Sequence, residues 1–520
     1  MSDNKDRSGA ESLVQAFVDS EADVCFANPG TSEMHFVAAL DNNPEMRCVL
    51  GLFEGVVTGA ADGYGRMARK PSVTLTHLGP GLGNGLANLH NAKKARTPIV
   101  NVVGEHATYH RKYDAPLTSD VAGFAAPVSG WVKVSESANT VATDGAEAVQ
   151  ASMAPPGQVA TLILPADTAW NRTTAAPKPL PRIEPKAYSV DNVNDVARAL
   201  KTDEPSVILM NGELTASRSA MADQISQATG ARILMDTFVP RVHRGAGRAE
   251  VARLPYFGEM AAEVLEGTKH LILLSSQPPV TFFAYPDKPN YLTPKGCDLH
   301  TLVERDEDID GALEALLDAV GGGDTSPRLV HLEIPDLPSG ELNQRSAGTT
   351  LAHLFPEDAI IVDEGGMNGG GSVAATRTGK PHDHLILTGG AIGFGLPCAT
   401  GAAVACPDRR VVSLQADGSA MYTNQALWTQ AREQLNVTTI IFANQKYGIL
   451  QVEFGRVGAH NPGPKAMSML DLTNPEITWT DLAKGMGVPA SRVTTVDEYA
   501  KALKASFATD GPALIEVMVP

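Results

Sequence analysis

Arg410-Val-Val-Ser-Leu-Gln415, followed at once by Ala416-Asp417-Gly418-Ser419, is the stretch that decides the fold. A second apolar run, Thr438-Thr-Ile-Ile-Phe-Ala443, leads to Asn444, 27 residues beyond Asp417. Each run is short and apolar on both faces, which predicts a buried strand of a parallel sheet. The segment between them, Met421 to Gln434, reads as a helix. An Asp and an Asn therefore close two strands joined by one βαβ crossover. Open α/β sheets place their ligands at that edge.

The residue types at this edge suit a metal-bound diphosphate. Mg²⁺ prefers hard oxygen ligands and commonly takes one or two carboxylates together with phosphate oxygens. Asp417 offers a carboxylate and Asn444 an amide oxygen. Gly418 and Ser419 offer backbone N–H groups and a hydroxyl, and the start of the following helix favours an anion. The competing reading is an ordinary Asp-Gly turn with a surface Asn.

Outward from this point the chain divides into three α/β blocks. Residues 8–175 alternate short apolar strands (Val24-Cys-Phe-Ala27, Ser72-Val-Thr-Leu-Thr76, Ile99-Val-Asn-Val-Val103, Ala160-Thr-Leu-Ile-Leu164) with helical stretches, as a parallel sheet requires. A linker with Pro177, Pro179, Pro181 and Pro185 follows. Residues 188–336 carry strands at Ser206-Val-Ile-Leu-Met210, Arg232-Ile-Leu-Met235 and His270-Leu-Ile-Leu-Leu274. Residues 345–520 carry the Asp/Asn pair and end in Ala513-Leu-Ile-Glu-Val-Met518. The end of the first block, Gly157-Gln-Val-Ala-Thr-Leu-Ile-Leu-Pro165, echoes the end of the third, a hint of two related folds. The expected class is α/β, with three doubly wound parallel-sheet domains.

Composition narrows the function. The 520 residues include 42 basic and 59 acidic side chains, a net charge of −17, which argues against nucleic acid or an anionic membrane as partner. The uncharged stretch Leu385 to Cys406 is broken by glycines and Pro397, so it reads as a buried loop, strand and helix start rather than a membrane span. Five dispersed cysteines without a C-x-x-C pair suggest reduced thiols, and the polar N-terminus shows no signal peptide. A cytoplasmic enzyme is expected.

Asp417-Gly418-Ser419, the spacer, and Asn444-Gln445-Lys446-Tyr447-Gly448 resemble the cofactor motif of the thiamin diphosphate (ThDP)-dependent 2-oxo acid decarboxylases and carboligases. That family usually reads Gly-Asp-Gly and then Asn-Asn, where this chain has Ala416 and Gln445. The resemblance implies that Asp417, the Asn444 side chain and the Lys446 carbonyl hold Mg²⁺ against the diphosphate, with Gly418, Ser419, Tyr447 and Gly448 beside it. It implies a pyrimidine-binding domain (8–175), a central domain (188–336) and a diphosphate-binding domain (345–520).

Other motifs take roles by the same resemblance. Leu52-Phe53-Glu54-Gly55 places Glu54 at a strand-to-helix junction, where burial would raise its pKa and allow proton transfer. The family equivalent bonds N1′ of the aminopyrimidine. Many members have His before this Glu; here it is Phe53. Asn28-Pro29-Gly30-Thr31-Ser32-Glu33 reads as a capped strand-to-helix turn, and the resemblance puts Asn28, Pro29 and Thr31 at the cofactor and substrate. His77 stands where benzoylformate decarboxylases have an active-site His, seven residues before Asn84. That likeness extends through Ala151-Ser-Met-Ala-Pro155 and Asp167 to Trp170. The loop Asp363 to Gly371 would offer Gly366 and Met367 to the diphosphate, mostly through backbone N–H groups. In Thr388 to Pro397, the Gly390 carbonyl would accept from the 4′-amino group, and Ile392 would wedge the cofactor into its bent form. Ala284 falls where benzoylformate decarboxylase has a second His. Without that acid, the enamine left by CO₂ loss could be protonated by another group, such as His106 or His110, or attack a second carbonyl, as in acetolactate synthase.

The resemblance thus implies a homodimer or homotetramer with active sites at subunit interfaces, acting on a small 2-oxo acid. FAD in the central domain is possible but not indicated. Three rival readings compete. Gly79-Pro-Gly81-Leu-Gly83 after a strand suggests a nicotinamide-dependent dehydrogenase, but the G-x-G-x-x-G frame fails at Asn84 and at Leu86. His106 and His110 at i, i+4 spacing, with Glu105 beside them, suggest zinc, but no third ligand is evident. The departures at Phe53, Ala284 and Ala416 suggest a non-catalytic subunit, against which stand Glu54, Asp417 and Asn444.

Overall fold

The apolar runs fold as expected: short, β-branched and uncharged, they form the centres of parallel sheets with helices on both faces. A computed structural model describes residues 6–176 and 178–520. Residues 1–5 and the linker residue Pro177 lie outside the described residues.

The first sheet contains β1 (Val24–Asn28), β2 (Arg47–Leu50), β3 (Ser72–Thr76), β4 (Ile99–Glu105), β5 (Trp131–Val134) and β6 (Val159–Pro165). They lie in the order β2-β1-β3-β4-β6-β5, all parallel. The chain then gives β7 (Ser206–Met210), β8 (Glu213–Leu214), β9 (Arg232–Met235), β10 (Arg241–Arg244), β11 (Ala252–Arg253), β12 (His270–Leu274) and β13 (Asp298–Val303). The central sheet is β11-β9-β7-β12-β13, again parallel.

The third sheet is built on β14 (Ala359–Glu364), β15 (His382–Ile386), β16 (Val411–Ala416), β17 (Val437–Ala443), β18 (Ala490–Val493) and β19 (Ala513–Met518). Its order is β8-β10-β15-β14-β16-β17-β19-β18. Two strands from the 188–336 stretch therefore extend the third sheet, and β10 runs antiparallel to β15. The six third-block strands follow the same 2-1-3-4-6-5 order as the first sheet. The echoing segments, β6 and β19, occupy the same place in both.

The predicted Met421–Gln434 helix is interrupted. The chain makes one turn at Asp417–Ala420, a 3₁₀ turn at Met421–Thr423 and a helix at Ala426–Arg432. Helices Glu54–Ala68 and Gly395–Ala405 join the first and third blocks at close range. A Cβ on Gly63 would lie 2.0 Å from the Cys398 carbonyl oxygen, and one on Gly401 would lie 1.8 Å from that of Ala60. Gly59 packs on the Pro397 ring in the same seam. The glycine spacing of the first helix thus sets how near the blocks can come.

Candidate active site

The Asp417/Asn444 pair comes together at the carboxyl edge of the third sheet, from neighbouring strands β16 and β17. Asp417 is buried, its Oδ1 accepting from Gly418 N at 2.9 Å and its Oδ2 from Gln445 N at 2.6 Å. Gln445 takes a left-handed conformation, φ 57°, which turns the chain back over the strand end. Asn444 Oδ1 accepts from Lys446 N at 3.3 Å. The Tyr447 ring lies against Gly418, where a Cβ would meet Cε1 at 2.5 Å. Ser419 turns its hydroxyl to the Ala416 carbonyl. Gly418 N is thus taken by its neighbour's carboxylate rather than left free for an anion.

Burial raises the Asp417 carboxyl above its ordinary value, against the opposing pull of the Gln445 and Gly418 N–H groups. A divalent cation offsets such desolvation. Together with the Asn444 amide oxygen and the Lys446 carbonyl, the donors are hard oxygens of the kind Mg²⁺ takes. The residues present suit the ion.

Glu54 opens its helix and is buried; its Oε2 accepts from Asn84 Nδ2 at 3.0 Å. Asn88 Nδ2 bonds both Gly55 O at 2.8 Å and Gly393 O at 3.2 Å. The start of the Glu54 helix therefore lies beside the turn that contains Gly390 and Ile392. Gly390 has φ 76°, and the Phe282 ring rests on it, 2.5 Å from where a Cβ would stand. Ile392 is partly exposed. Gly366, φ 56°, opens the helix Gly366–Ala375, and Met367 beside it is exposed.

Sequence reasoning did not assign Glu364 a role. At the end of β14, Glu364 is buried and accepts three backbone bonds: Oε1 from Gly393 N (2.7 Å) and Phe394 N (3.2 Å), Oε2 from Gly395 N (2.7 Å). It fixes the turn bearing Ile392. Burial pushes its carboxyl up to about 7, against those bonds.

The first block supplies a second cluster. His77 follows β3, and its Nδ1 lies 2.7 Å from Glu33 Oε2. Glu33 is fully buried; its Oε2 also accepts from Gly30 N at 2.7 Å and its Oε1 from Ser32 Oγ. Gly30 lies flat beneath the imidazole, where a Cβ would sit 2.4 Å from His77 Cγ. The sequence showed Glu33 only as part of a helix start; its contact with His77 spans 44 residues. Asn28 ends β1, Pro29 follows it, and Thr31 begins the short 3₁₀ turn on the exposed side.

His106 and His110 lie beyond β4 with ring centroids 5.3 Å apart and planes tilted by 57°, and His106 Nε2 is buried without a hydrogen-bond partner among the described residues. The described residues contain no group of three or more His, Cys, Asp or Glu side chains placed to hold a metal ion. Ala284 lies exposed at the tip of a hairpin-like loop, closed by Thr281 N to Asn290 O at 3.0 Å and Leu292 N to Pro279 O at 2.9 Å.

A sheet of this type with a buried acidic strand end facing a glycine-rich turn defines a cofactor-binding α/β enzyme. Residues 7–125 match the family model for the thiamine pyrophosphate enzyme N-terminal TPP binding domain, and residues 369–517 match that for the C-terminal TPP binding domain. The chain is 53% identical over 514 residues to "Putative acetolactate synthase large subunit IlvX" of Mycobacterium tuberculosis, covering 98% of this chain and 99% of that protein. It is 28% identical to benzoylformate decarboxylase of Pseudomonas aeruginosa, over 95% of each. In structure it resembles a ThDP-dependent 4-hydroxybenzoylformate decarboxylase of Rhodococcus jostii RHA1, with a TM-score of 0.84, 24% identity and 99% of each chain covered. The chain belongs to the thiamine pyrophosphate-dependent enzymes.

Proposed function

We propose that this enzyme decarboxylates a small 2-oxo acid with ThDP and Mg²⁺, and either protonates the product or joins it to a second carbonyl compound. The observation that carries the reading is the buried Asp417 held beside Asn444 at the strand edge. When bound, ThDP supplies the electron sink into which the carboxylate's bonding electrons pass as CO₂ leaves. Asp417, Asn444 and the Lys446 carbonyl would hold Mg²⁺, with Gly418, Ser419, Tyr447, Gly448, Gly366 and Met367 around the diphosphate. Gly390 and Ile392 would set the cofactor's bend, with Asn28 and Pro29 beside its pyrimidine.

Glu54 would hold and move a proton at the pyrimidine N1′, and its bond from Asn84 fixes the carboxylate's orientation. His77, oriented by Glu33, would bind the substrate carboxylate or carbonyl through Nε2, because Nδ1 is engaged. Thr31 would stand beside the substrate. The Glu33 carboxylate on Nδ1 fixes the orientation of the ring and leaves Nε2 to the substrate side.

Ala284 has no proton to give, and its neighbours at the loop tip are Phe282 and Phe283, both exposed. This supports carboligation. The neighbouring His106 and His110 would be the alternative proton source. FAD is not indicated: at the carboxyl edge of the central sheet Arg96 bonds Ser275, and Asp236 bonds Asn211 and Ser276. A homodimer or homotetramer is supported by apolar side chains exposed around the site: Leu52, Met367, Tyr422 and Leu450. Five free thiols suit a cytoplasmic setting, and no helix among the described residues is long and apolar enough to cross a membrane.

The test is CO₂ release from pyruvate, benzoylformate and branched 2-oxo acids with ThDP and Mg²⁺, with product identification. Glu54→Gln is expected to lower kcat by about 10²-fold or more, the scale of a lost acid–base group. An aldehyde product means decarboxylation, and a hydroxyketone or acetolactate means carboligation. CO₂ release equal in wild type and Glu54→Gln, with ThDP bound to both, would overturn the assignment.

A further inference from the structure

Asp363, His384 and Arg244 stand in a row on three neighbouring strands. The register sets His384 of β15 opposite Ile361 of β14 and Val242 of β10. Asp363 and Arg244 lie two residues beyond those positions, so all three side chains leave the same face of the sheet. His384 is 1% exposed. Its Nδ1 lies 3.2 Å from Arg244 Nη1, and its Nε2 lies 3.5 Å from Asp363 Oδ2. A guanidinium can only donate, so Nδ1 accepts, and the neutral ring carries its proton on Nε2, toward Asp363.

The two ends of this row grip one helix. Asp363 Oδ1 accepts from Gly365 N at 3.2 Å, immediately before the helix Gly366–Ala375. Arg244 Nη2 donates to Val373 O at 3.2 Å, in the last turn of the same helix. A carboxylate thus stands at the helix start and a guanidinium at its end, the arrangement the helix dipole favours. This helix depends on outside support. It has 10 residues, Gly366-Met-Asn-Gly-Gly-Gly-Ser-Val-Ala-Ala375, and Gly366, Gly369, Gly370 and Gly371 are all glycine. Helices this short are marginal in water by themselves, and glycine weakens a helix more than any residue but proline. Packing requires Gly371, where a Cβ would lie 2.1 Å from Gln344 O. It does not require Gly370, whose Cβ position is open.

We propose that His384 is a positioning residue for the cofactor: through Asp363 and Arg244 it braces the Gly366–Ala375 helix, whose first residues hold the diphosphate. The inference rests on the placement of the diphosphate at Gly366 and Met367 given above. His384 touches neither cofactor nor substrate; it acts through the two charged side chains that it links. Without the ring, Asp363 and Arg244 lose their shared partner, and a helix rich in glycine loosens at the end where the diphosphate is held. ThDP must then order that helix as it binds, and its affinity falls.

The experiment is calorimetric titration of the full-length apoprotein with ThDP at saturating Mg²⁺. His384→Leu is expected to bind ThDP roughly tenfold more weakly or worse, the scale of one or two lost hydrogen bonds. His384→Gln, whose amide offers one acceptor and one donor as the neutral ring does, is expected to stay within about threefold of the wild type. Gly370→Ala, which stiffens the helix without a clash, is expected to bind ThDP about two- to fivefold more tightly. Equal weakening by Leu and Gln, or wild-type affinity in His384→Leu, would overturn the brace. If His384→Leu does not fold, Gly370→Ala decides: unchanged or weaker ThDP binding there would overturn it. Asp417→Ala separates the two readings. Loss of ThDP binding in Asp417→Ala with wild-type affinity in His384→Leu removes the brace alone, whereas wild-type affinity in Asp417→Ala removes the placement of the diphosphate and the brace with it.

Discussion

Glu364 shows what one buried carboxyl does when its surroundings are backbone. Its pKa near 7 stands above the ordinary carboxyl value of 4.5, so the folded chain keeps a proton that the unfolded chain releases between those values. Its contribution to stability is full below pH 4.5 and is lost as the pH rises through 7. The shift corresponds to roughly 3 kcal/mol. Glu364→Gln cannot titrate. Urea midpoints measured from pH 5 to 7 should therefore lose this falling component. At pH 5 the variant should be less stable by about 1–3 kcal/mol, because an amide N–H₂ then faces a backbone donor. An unchanged pH slope would remove Glu364 from the account. Buried His382 acts in the opposite sense. Burial lowers it to about 3, so its contribution is present above pH 6.5 and is lost as the pH falls through 3. Neither effect was legible in the sequence. A Glu before two glycines and a His in a polar run reveal nothing of the groups that surround them.

At the scale of elements, the closest crossing is between the Glu54–Ala68 and Gly395–Ala405 helices. Gly63→Ala puts a methyl on the Cys398 carbonyl, a backbone atom that cannot swing aside. Overpacking of this kind costs about 1–3 kcal/mol or more. The thermal midpoint should fall, and activity with it if the Gly393 turn shifts. Gly83→Ala is the control. Gly83 lies in the Leu78–Ala95 helix with open space at its Cβ position, and the same change there should stabilise by about 0.4–1 kcal/mol. Equal midpoints for the two variants would mean that the crossing tolerates bulk. The elements themselves were unequally legible. Central strands such as Val437–Ala443 are uncharged and buried throughout and were plain. Edge strands were not: Arg47–Leu50 exposes Arg47 and Cys48, and Trp131–Val134 is only half-buried and includes Lys133. His382–Ile386 was hidden for another reason: it is fully buried yet polar, with Asp383 bound by Arg241 at 2.8 Å and Arg409 at 2.6 Å.

Across the whole molecule, one side chain joins all three blocks. Arg66 lies on the Glu54–Ala68 helix, pairs with Asp62, and donates to Pro240 O at 3.2 Å, Ile386 O at 2.7 Å and Thr388 Oγ1 at 3.1 Å. Both partners of the pair are almost fully buried, 2% and 0% exposed. Arg66→Ala leaves Asp62 charged in the interior, a loss of about 3–5 kcal/mol. Calorimetry should show a lower unfolding temperature, partly restored in the Arg66→Ala/Asp62→Asn double variant. If the double variant is no better than the single, the carbonyl bonds outweigh the ion pair.

Sequence alone determined the α/β class and set Asp417 and Asn444 at the ends of neighbouring buried strands. These rest on local signals: runs of apolar residues and an Asp and an Asn at strand ends. Tertiary structure decided the rest. It carried β8 and β10 into the third sheet, gave the first and third sheets one strand order, and set Glu33 on His77 and Glu364 under the Gly393 turn. Such pairings span tens to hundreds of residues and depend on which faces of the sheets meet. Side-chain periodicity records how each segment is buried, but not what buries it.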